Sequence, residues 1–174
     1  MSTSSISRRD ALVASAGLVV AAAAPSMASA QSAGLKDIDP GVSVAPADAA
    51  EIWAVLDKYM KAYRLPLEKT LDAHLETILF PHVRIASHQV ALFPTRQSYY
   101  DVVKDPTPFM QSGWDHSEWK MRRITSAAPE KVHVETSFDR FKKDGTFIAN
   151  EPSLYILEKI DGRWGIRGRS SYAK

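Results

Sequence analysis

From Gly113 to Lys174 the chain reads as four consecutive strands, and this run restricts the fold more than any other stretch. The strands are expected at Trp114–Ser126, Lys131–Phe141, Thr146–Ile160 and Arg163–Tyr172. Between them lie Ala127-Ala128-Pro129-Glu130, Lys142-Lys143-Asp144-Gly145 and Asp161-Gly162. Each break carries Pro or Asp-Gly, the chemistry that turns a chain back into an antiparallel neighbour. A twisted meander of this length cannot stand alone. It needs an apolar cover on one face, and the segment before it supplies helices.

Pro46-Ala47-Asp48 opens the first of these. Ala49, Ile52, Trp53, Leu56, Tyr59, Met60 and Tyr63 recur at spacings of three and four, which predicts a helix to about Arg64. A second, shorter helix is expected from Leu67 to Glu76, with His74 on its solvated side. Val83–Ser87 and Gln89–Phe93 read as a short hairpin, with His82 exposed near the strand start. A third helix is expected from Gln97 to Val103, stopped by Asp105-Pro106-Thr107-Pro108. Residues 105–113 then form a loop, with Phe109 and Met110 exposed or acting as a lid. Residues 31–46 are polar and read as a linker or a strapped-on arm. The domain itself is expected over residues 47–174.

Composition sets the class. The chain has 174 residues, 24% charged, with a formal net charge of +2, so bulk charge favours neither nucleic acid nor an anionic membrane as partner. Cysteine is absent, which excludes disulfides, thiolate metal sites and a cysteine nucleophile. The first thirty residues have the three parts of an export signal: Arg8-Arg9, an apolar run from Ala11 to Ala24, and Ala28-Ser29-Ala30 as a cleavage site. The paired arginines followed by Asp10, Ala11 and Leu12 resemble a twin-arginine signal. Cleavage after Ala30 would deliver a periplasmic or exported protein with no membrane segment. Outside the inner membrane a soluble nicotinamide cofactor would be scarce, and no Gly-rich phosphate loop is present, so no cofactor is expected.

The order of elements resembles the nuclear-transport-factor-2-like superfamily, also called SnoaL-like or ketosteroid-isomerase-like. Three features carry the resemblance: the opening amphipathic helix, Leu79-Phe80-Pro81-His82-Val83-Arg84-Ile85, and the ending Leu154–Ile160, Asp161-Gly162, Arg163-Trp164-Gly165-Ile166. It covers about Asp48 to Tyr172. It implies an α+β fold, a cone in which a curved, mostly antiparallel sheet wraps around a long N-terminal helix and leaves a mostly apolar pocket. Members include isomerases, dehydratases, epoxide hydrolases, cyclases, lyases and binding modules, so the fold does not fix the function. Where a ketosteroid isomerase keeps its base aspartate, this chain has Ser87, with His88 next to it. Where that enzyme keeps its oxyanion-hole acid, this chain has Leu154. Both departures argue against that activity by the same residues.

The densest polar cluster is Trp114-Asp115-His116-Ser117-Glu118-Trp119. Strand alternation puts His116, Glu118, Arg122 and Ile124 on one side. With Ile124 taken as core-facing, His116 falls on the concave side near the pocket mouth. A histidine there can take a proton, with Glu118 or another carboxylate to orient it; the alternative is a histidine hydrogen-bonded for structure. Tyr59 and Tyr63, one turn apart, could polarise a carbonyl or simply fill core. Ser87 and His88 complete the catalytic candidates. Trp53, Met60, Tyr99, Phe109, Glu118 and Trp119 are the pocket candidates. His133 alternates with Val132 and Val134, which places it on the convex side. The five histidines are dispersed with no metal-ligand spacing, so no metal is expected. No Gly-x-Ser-x-Gly elbow supports serine hydrolysis. Arg140, Arg167 and Arg169 could bind a carboxylate, but a charged convex face explains them more simply.

These features favour a cofactor-free enzyme that abstracts a proton from a small apolar, aromatic or terpenoid metabolite, as an isomerase, dehydratase or lyase. The competing readings are a non-catalytic ligand-binding or dimerisation module and an accessory subunit of an exported enzyme. A homodimer through the open sheet face is expected in either of the first two cases.

Overall fold

The computed structural model describes residues 35–86 and 88–172; the stretch expected to be an export signal and Ser87 lie outside the described residues. The element order is β1 (Leu35–Ile38), α1 (Pro46–Ala62), α2 (Leu71–Leu75), β2 (Ile78–Ala86), β3 (Gln89–Phe93), α3 (Arg96–Val103), α4 (Thr107–Met110), β4 (Trp114–Ala128), β5 (Lys131–Lys142), β6 (Phe147–Ile160) and β7 (Arg163–Ser171). One seven-stranded sheet runs in the order β1-β4-β5-β6-β7-β2-β3. The fold is α+β and the sheet mostly antiparallel, because β4 to β7 form the meander that their turns predict.

Two parallel pairings flank the meander. β2 pairs with β7, and β1 with β4. Sequence periodicity holds no trace of either, since each joins segments far apart in the chain. Residues 35–46 are therefore an arm with a strand in it rather than a free linker.

α1 lies across the sheet because its apolar stripe has nowhere else to go. Ile52 and Leu56 are fully buried, and Tyr59 and Met60 nearly so. Burying such a side chain is worth about 1.5–3 kcal/mol, which makes this helix the centre of the core. Polar bonds fix its position. At its start, Asp48 accepts from Trp164 Nε1 at 2.8 Å and from Lys159 Nζ at 2.7 Å. In its middle, Trp119 Nε1 donates to the Leu56 carbonyl at 3.1 Å. Just beyond its end, the Leu65 amide donates to the Asp115 carbonyl at 2.9 Å. The last turn of α1, with Tyr59 and Tyr63, is thereby held against the start of β4.

The second predicted helix is a 3-10 turn, Leu67–Lys69, followed by the five residues of α2. His74 on α2 is fully buried rather than solvated, and His82 on β2 is buried rather than exposed. Both histidines pack among aromatic rings. His74 lies 4.5 Å from the Tyr59 ring and 4.8 Å from the Tyr63 ring, and His82 packs against Phe93 and Tyr99. His133 is half-buried between inward Val132 and Val134. The loop over residues 105–113 contains the single turn α4.

Strand alternation fails in β4 for a local reason. Trp119 faces Phe138 and Met121 faces Ser137, which leaves Lys120 as an extra residue. Such a bulge rotates the rest of the strand by one step. Trp119 and Arg122, three residues apart, are consequently both buried. Ser117 and Trp119 point inward before the bulge, and Arg122 and Ile124 after it. His116 and Glu118 share no side with Ile124.

Candidate anion-binding cavity

A cavity opens where the last turn of α1 meets the start of β4. Tyr59, Met60 and Tyr63 come from α1, Trp114 and Ser117 from β4, and Phe138 and Tyr155 from β5 and β6. Into this aromatic setting project three arginines: Arg84 of β2, Arg140 of β5 and Arg169 of β7. The free space totals about 360 Å³ including the part open to solvent, but the centre of a water-sized sphere fits in only about 20 Å³ of it. As it stands the cavity holds little more than one water, so an organic guest enters only if its walls part.

Register sets the arginines in place. Arg84 and Arg169 are direct partners on the parallel strands β2 and β7, and Tyr155 is the partner of Arg169 on β6. Like charges directly opposite one another destabilise a sheet. Arg169 donates to the hydroxyls of Ser171 at 3.1 Å, Tyr59 at 3.4 Å and Ser153 at 3.4 Å. Its guanidinium also lies over the rings of Phe138 and Tyr155, at 5.2 and 5.4 Å. All of these partners are neutral. Among the described residues no carboxylate pairs with Arg84 or Arg169, and the buried Nε of each has no hydrogen-bond partner. A buried donor left unmade costs about 1–3 kcal/mol, more when charged.

Arg140 differs. Its Nη1 is 3.6 Å from Glu151 Oε1, and both side chains are mostly buried. Glu151 is the register partner of Phe138, so it stands on the cavity's face of the sheet. Burial lowers the pKa of Arg140, with Glu151 opposing that shift; arginine nonetheless keeps its proton. The tyrosines supply no compensating charge. Burial pushes the Tyr63 phenol up to about 12 and raises Tyr155 well above its ordinary value. Both are therefore neutral at pH 7. Ser117 Oγ accepts from Trp114 Nε1 at 3.0 Å, which orients that hydroxyl at the wall. Three guanidinium groups and one carboxylate leave this region with an excess of two positive charges.

The family model for "NTF2-like protein (DUF6841)" matches residues 49–173. The chain belongs to this family. Solved structures agree with the NTF2-like fold. A protein of unknown function with a cystatin-like fold from Nostoc punctiforme superposes with a TM-score of 0.62 at 10% identity, covering 76% of this chain and 96% of that one. An NTF2-like protein of unknown function from Shewanella oneidensis gives 0.58 at 17% identity, covering 72% and 98%. A ketosteroid isomerase-like protein from Erwinia carotovora atroseptica gives 0.50 at 18% identity, covering 71% and 93%. At such identities the likeness is one of fold. No curated protein matches this chain in sequence.

Of the residues picked from sequence, Tyr59, Met60 and Tyr63 line the cavity of this NTF2-like chain. His116 does not. It stands on the strand face opposite Ser117, with Nδ1 2.8 Å from the Asp115 carboxylate and its ring stacked 5.5 Å from Phe141. Glu118 Oε1 is 3.8 Å from His116 Nε2, so the expected pair forms, but away from Tyr59 and Tyr63. Trp119 is committed to α1, and Trp53 is half-buried against the core. Tyr99 is buried beside His74, sharing a 3.3 Å hydrogen bond with its Nε2. His88 is exposed at the β2–β3 turn with φ of 62°. The side chain of Phe109 lies outside the described residues.

The expectation of a convex face for Arg140, Arg167 and Arg169 holds only for Arg167; Arg140 and Arg169 both line the cavity. For Arg169 a bulge is the cause: Ile166 faces Leu157 and Gly168 faces Ile156, which leaves Arg167 as the extra residue. Arg167 turns outward to Glu158 at 2.7 Å, and Arg169 rotates into the cavity. The usable sequence signal was Arg140 itself, two residues after Phe138 and hence on the same side of its strand.

Proposed function

We propose that this NTF2-like protein binds a small organic acid, with a carboxylate on Arg84 and Arg169 and the rest of the molecule against Phe138, Tyr155 and Trp114. One observation carries this reading. Two arginines that are register neighbours share a cavity with buried, unpartnered Nε atoms and no carboxylate of their own. Guanidinium groups match carboxylates through paired N–H donors, and aromatic walls suit a flat or apolar body. The expectation of an apolar metabolite becomes that of an apolar acid. Delivery outside the inner membrane by the twin-arginine-like signal is part of this reading; mass analysis of the mature N-terminus checks cleavage after Ala30.

Isothermal titration of the purified chain with small aromatic and aliphatic acids tests the proposal. Binding should weaken at least about tenfold in both Arg84→Gln and Arg169→Gln. Acids that bind wild type and both variants alike would overturn it.

A second reading, turnover of the bound acid, draws on Tyr59 and Glu151. Tyr59 accepts from the Arg169 guanidinium at its hydroxyl, which leaves its own O–H free to point into the cavity, and Glu151 is a carboxylate on the same face. Glu151 would take a proton from carbon while Tyr59 returns one elsewhere on the same molecule, an isomerisation, and exchange with solvent would then carry the proton on Glu151 away and restore that of Tyr59. Solvent deuterium entering a bound acid at carbon, abolished in Glu151→Gln, would establish turnover. An acid recovered unlabelled would leave a binding protein.

A further inference from the structure

The cavity has two cationic poles. Arg84 and Arg169 make the first, side by side on β2 and β7. Arg140 makes the second. Tyr155, the partner of Arg169, faces Val134 on β5, and Arg140 is further along that strand, opposite Ala149. At about 3.4 Å per residue, Val134 and Arg140 are roughly 20 Å apart along an extended strand. The guanidinium groups reach one cavity only through sheet curvature and the length of their side chains. On the same strand face, the Phe138 ring adjoins both poles, 5.2 Å from the Arg169 guanidinium and 6.0 Å from that of Arg140, so a ligand reaching both lies along this apolar ring.

We propose that the ligand is a short dicarboxylate, with one carboxylate on Arg84 and Arg169 and the other on Arg140. This rests on the reading of the cavity as an organic-acid site and names the class of acid. Charge is the first argument. The excess of two positive charges is cancelled by a dianion and only halved by a monoanion. Arg140 is the second. Its Nη1 meets Glu151 at a loose 3.6 Å, and a guanidinium has five N–H donors, so the rest of the fork can donate to a ligand oxygen. Shape is the third. An inorganic phosphate carries its charge on one centre and satisfies one pole, whereas a dicarboxylate places its charges at both ends of a chain that packs on Phe138. A cavity that must widen for any organic guest widens least for a slim, unbranched chain.

The test is titration of the full chain with succinate and glutarate, against butyrate as the matched monocarboxylate and inorganic phosphate. At least one dicarboxylate should bind about tenfold or more tightly than butyrate. Arg140→Gln should abolish that preference and leave butyrate binding within about twofold. Glu151→Gln, which removes a competing negative charge, should tighten dicarboxylate binding severalfold; if Arg140→Gln fails to fold by circular dichroism, this arm decides. Butyrate binding as tightly as both dicarboxylates, a preference that survives Arg140→Gln, or phosphate binding tightest would overturn the dicarboxylate and leave the organic-acid reading standing. No binding of any acid would remove both.

Discussion

Arg122 and the pair Arg84–Arg169 are inward-pointing arginines of one sheet, and they are treated in opposite ways. Arg122 is fully buried, and its Nη1 meets Asp57 of α1, which also takes Lys36 of β1 at 2.8 Å. Lys36 is the register partner of Arg122, so the arm before α1 brings a second cation to the same carboxylate. Burial alone would raise the Asp57 carboxyl; hydrogen bonds from Lys36 and Arg122 hold it below its ordinary value. The guanidinium also lies 5.4 Å from the Trp119 ring. Here the protein supplies both halves of the ion pair, and the result is a tie between arm, helix and strand. Around Arg84 and Arg169 it supplies hydroxyls, rings and no carboxylate. A guanidinium given its counter-charge by the fold is structural; on the proposed reading, one denied it takes its counter-charge from a ligand.

Acid should give the largest effect, because it titrates the surroundings of these arginines and not the arginines. Burial lowers His74 to about 3 and His82 to about 4, from an ordinary 6.5. Around them stand Tyr59, Tyr99, Arg84 and Arg169, with no carboxylate to favour protonation. Above pH 6.5 neither state carries the extra proton and the stability is intact. Below it the unfolded chain takes up protons that the folded chain refuses, so stability falls as pH drops towards 4, by on the order of 3 kcal/mol per histidine. Urea melts at pH 7 and 4.5 should show the loss, and His74→Phe should remove about half of it; equal pH slopes in the two proteins would refute the assignment.

Asp57→Ala comes next, since it strands a buried charge. The loss should be about 3 kcal/mol, at the low end for broken buried pairs because Asp57 is half exposed, with acid binding unchanged. Arg84→Met should do the reverse in the same denaturation and titration experiments: stability within about 1 kcal/mol of wild type or higher, and acid binding lost. If Arg84→Met destabilised the fold as much as Asp57→Ala, the contrast between the two kinds of arginine would fail. Arg167→Gln, on the outward residue of the β7 bulge, should change stability by under about 1 kcal/mol and leave binding unaltered.

The fold was legible in the sequence and the site largely was not, for one physical reason. Turn chemistry and helical spacing are local, and they placed the β4–β7 meander, α1, the β2–β3 hairpin and α3 correctly. The parallel pairings of β1 and β2 are non-local and left no mark. For the site, alternation along a strand was the available guide, and it holds only while every residue is paired. Lys120 and Arg167 are extra residues in their ladders, and each reverses the expectation for the strand beyond it. That is why His116 seemed to point inward and Arg169 outward. The burial of His74 is not legible because a segment as short as α2 has too little periodicity to define a face, and that of His82 because the β2–β7 register shifts between Ile78 and Val83, around it. Tyr59, Tyr63 and Met60 were found because α1 is long and regular.

The bulge at Lys120 also works as a hinge in the reading frame of the surface. Loss of that single residue would leave the backbone trace of β4 nearly unchanged and turn one half of the strand over. With the Arg122–Ile124 half held by Asp57, the exchange would fall on the other half. Ser117 and Trp119 would pass to solvent, and His116 and Glu118 would enter the cavity beside Tyr63. One deletion thus separates an arginine-lined interior from one that holds a histidine–carboxylate pair, with the topology of the sheet unchanged.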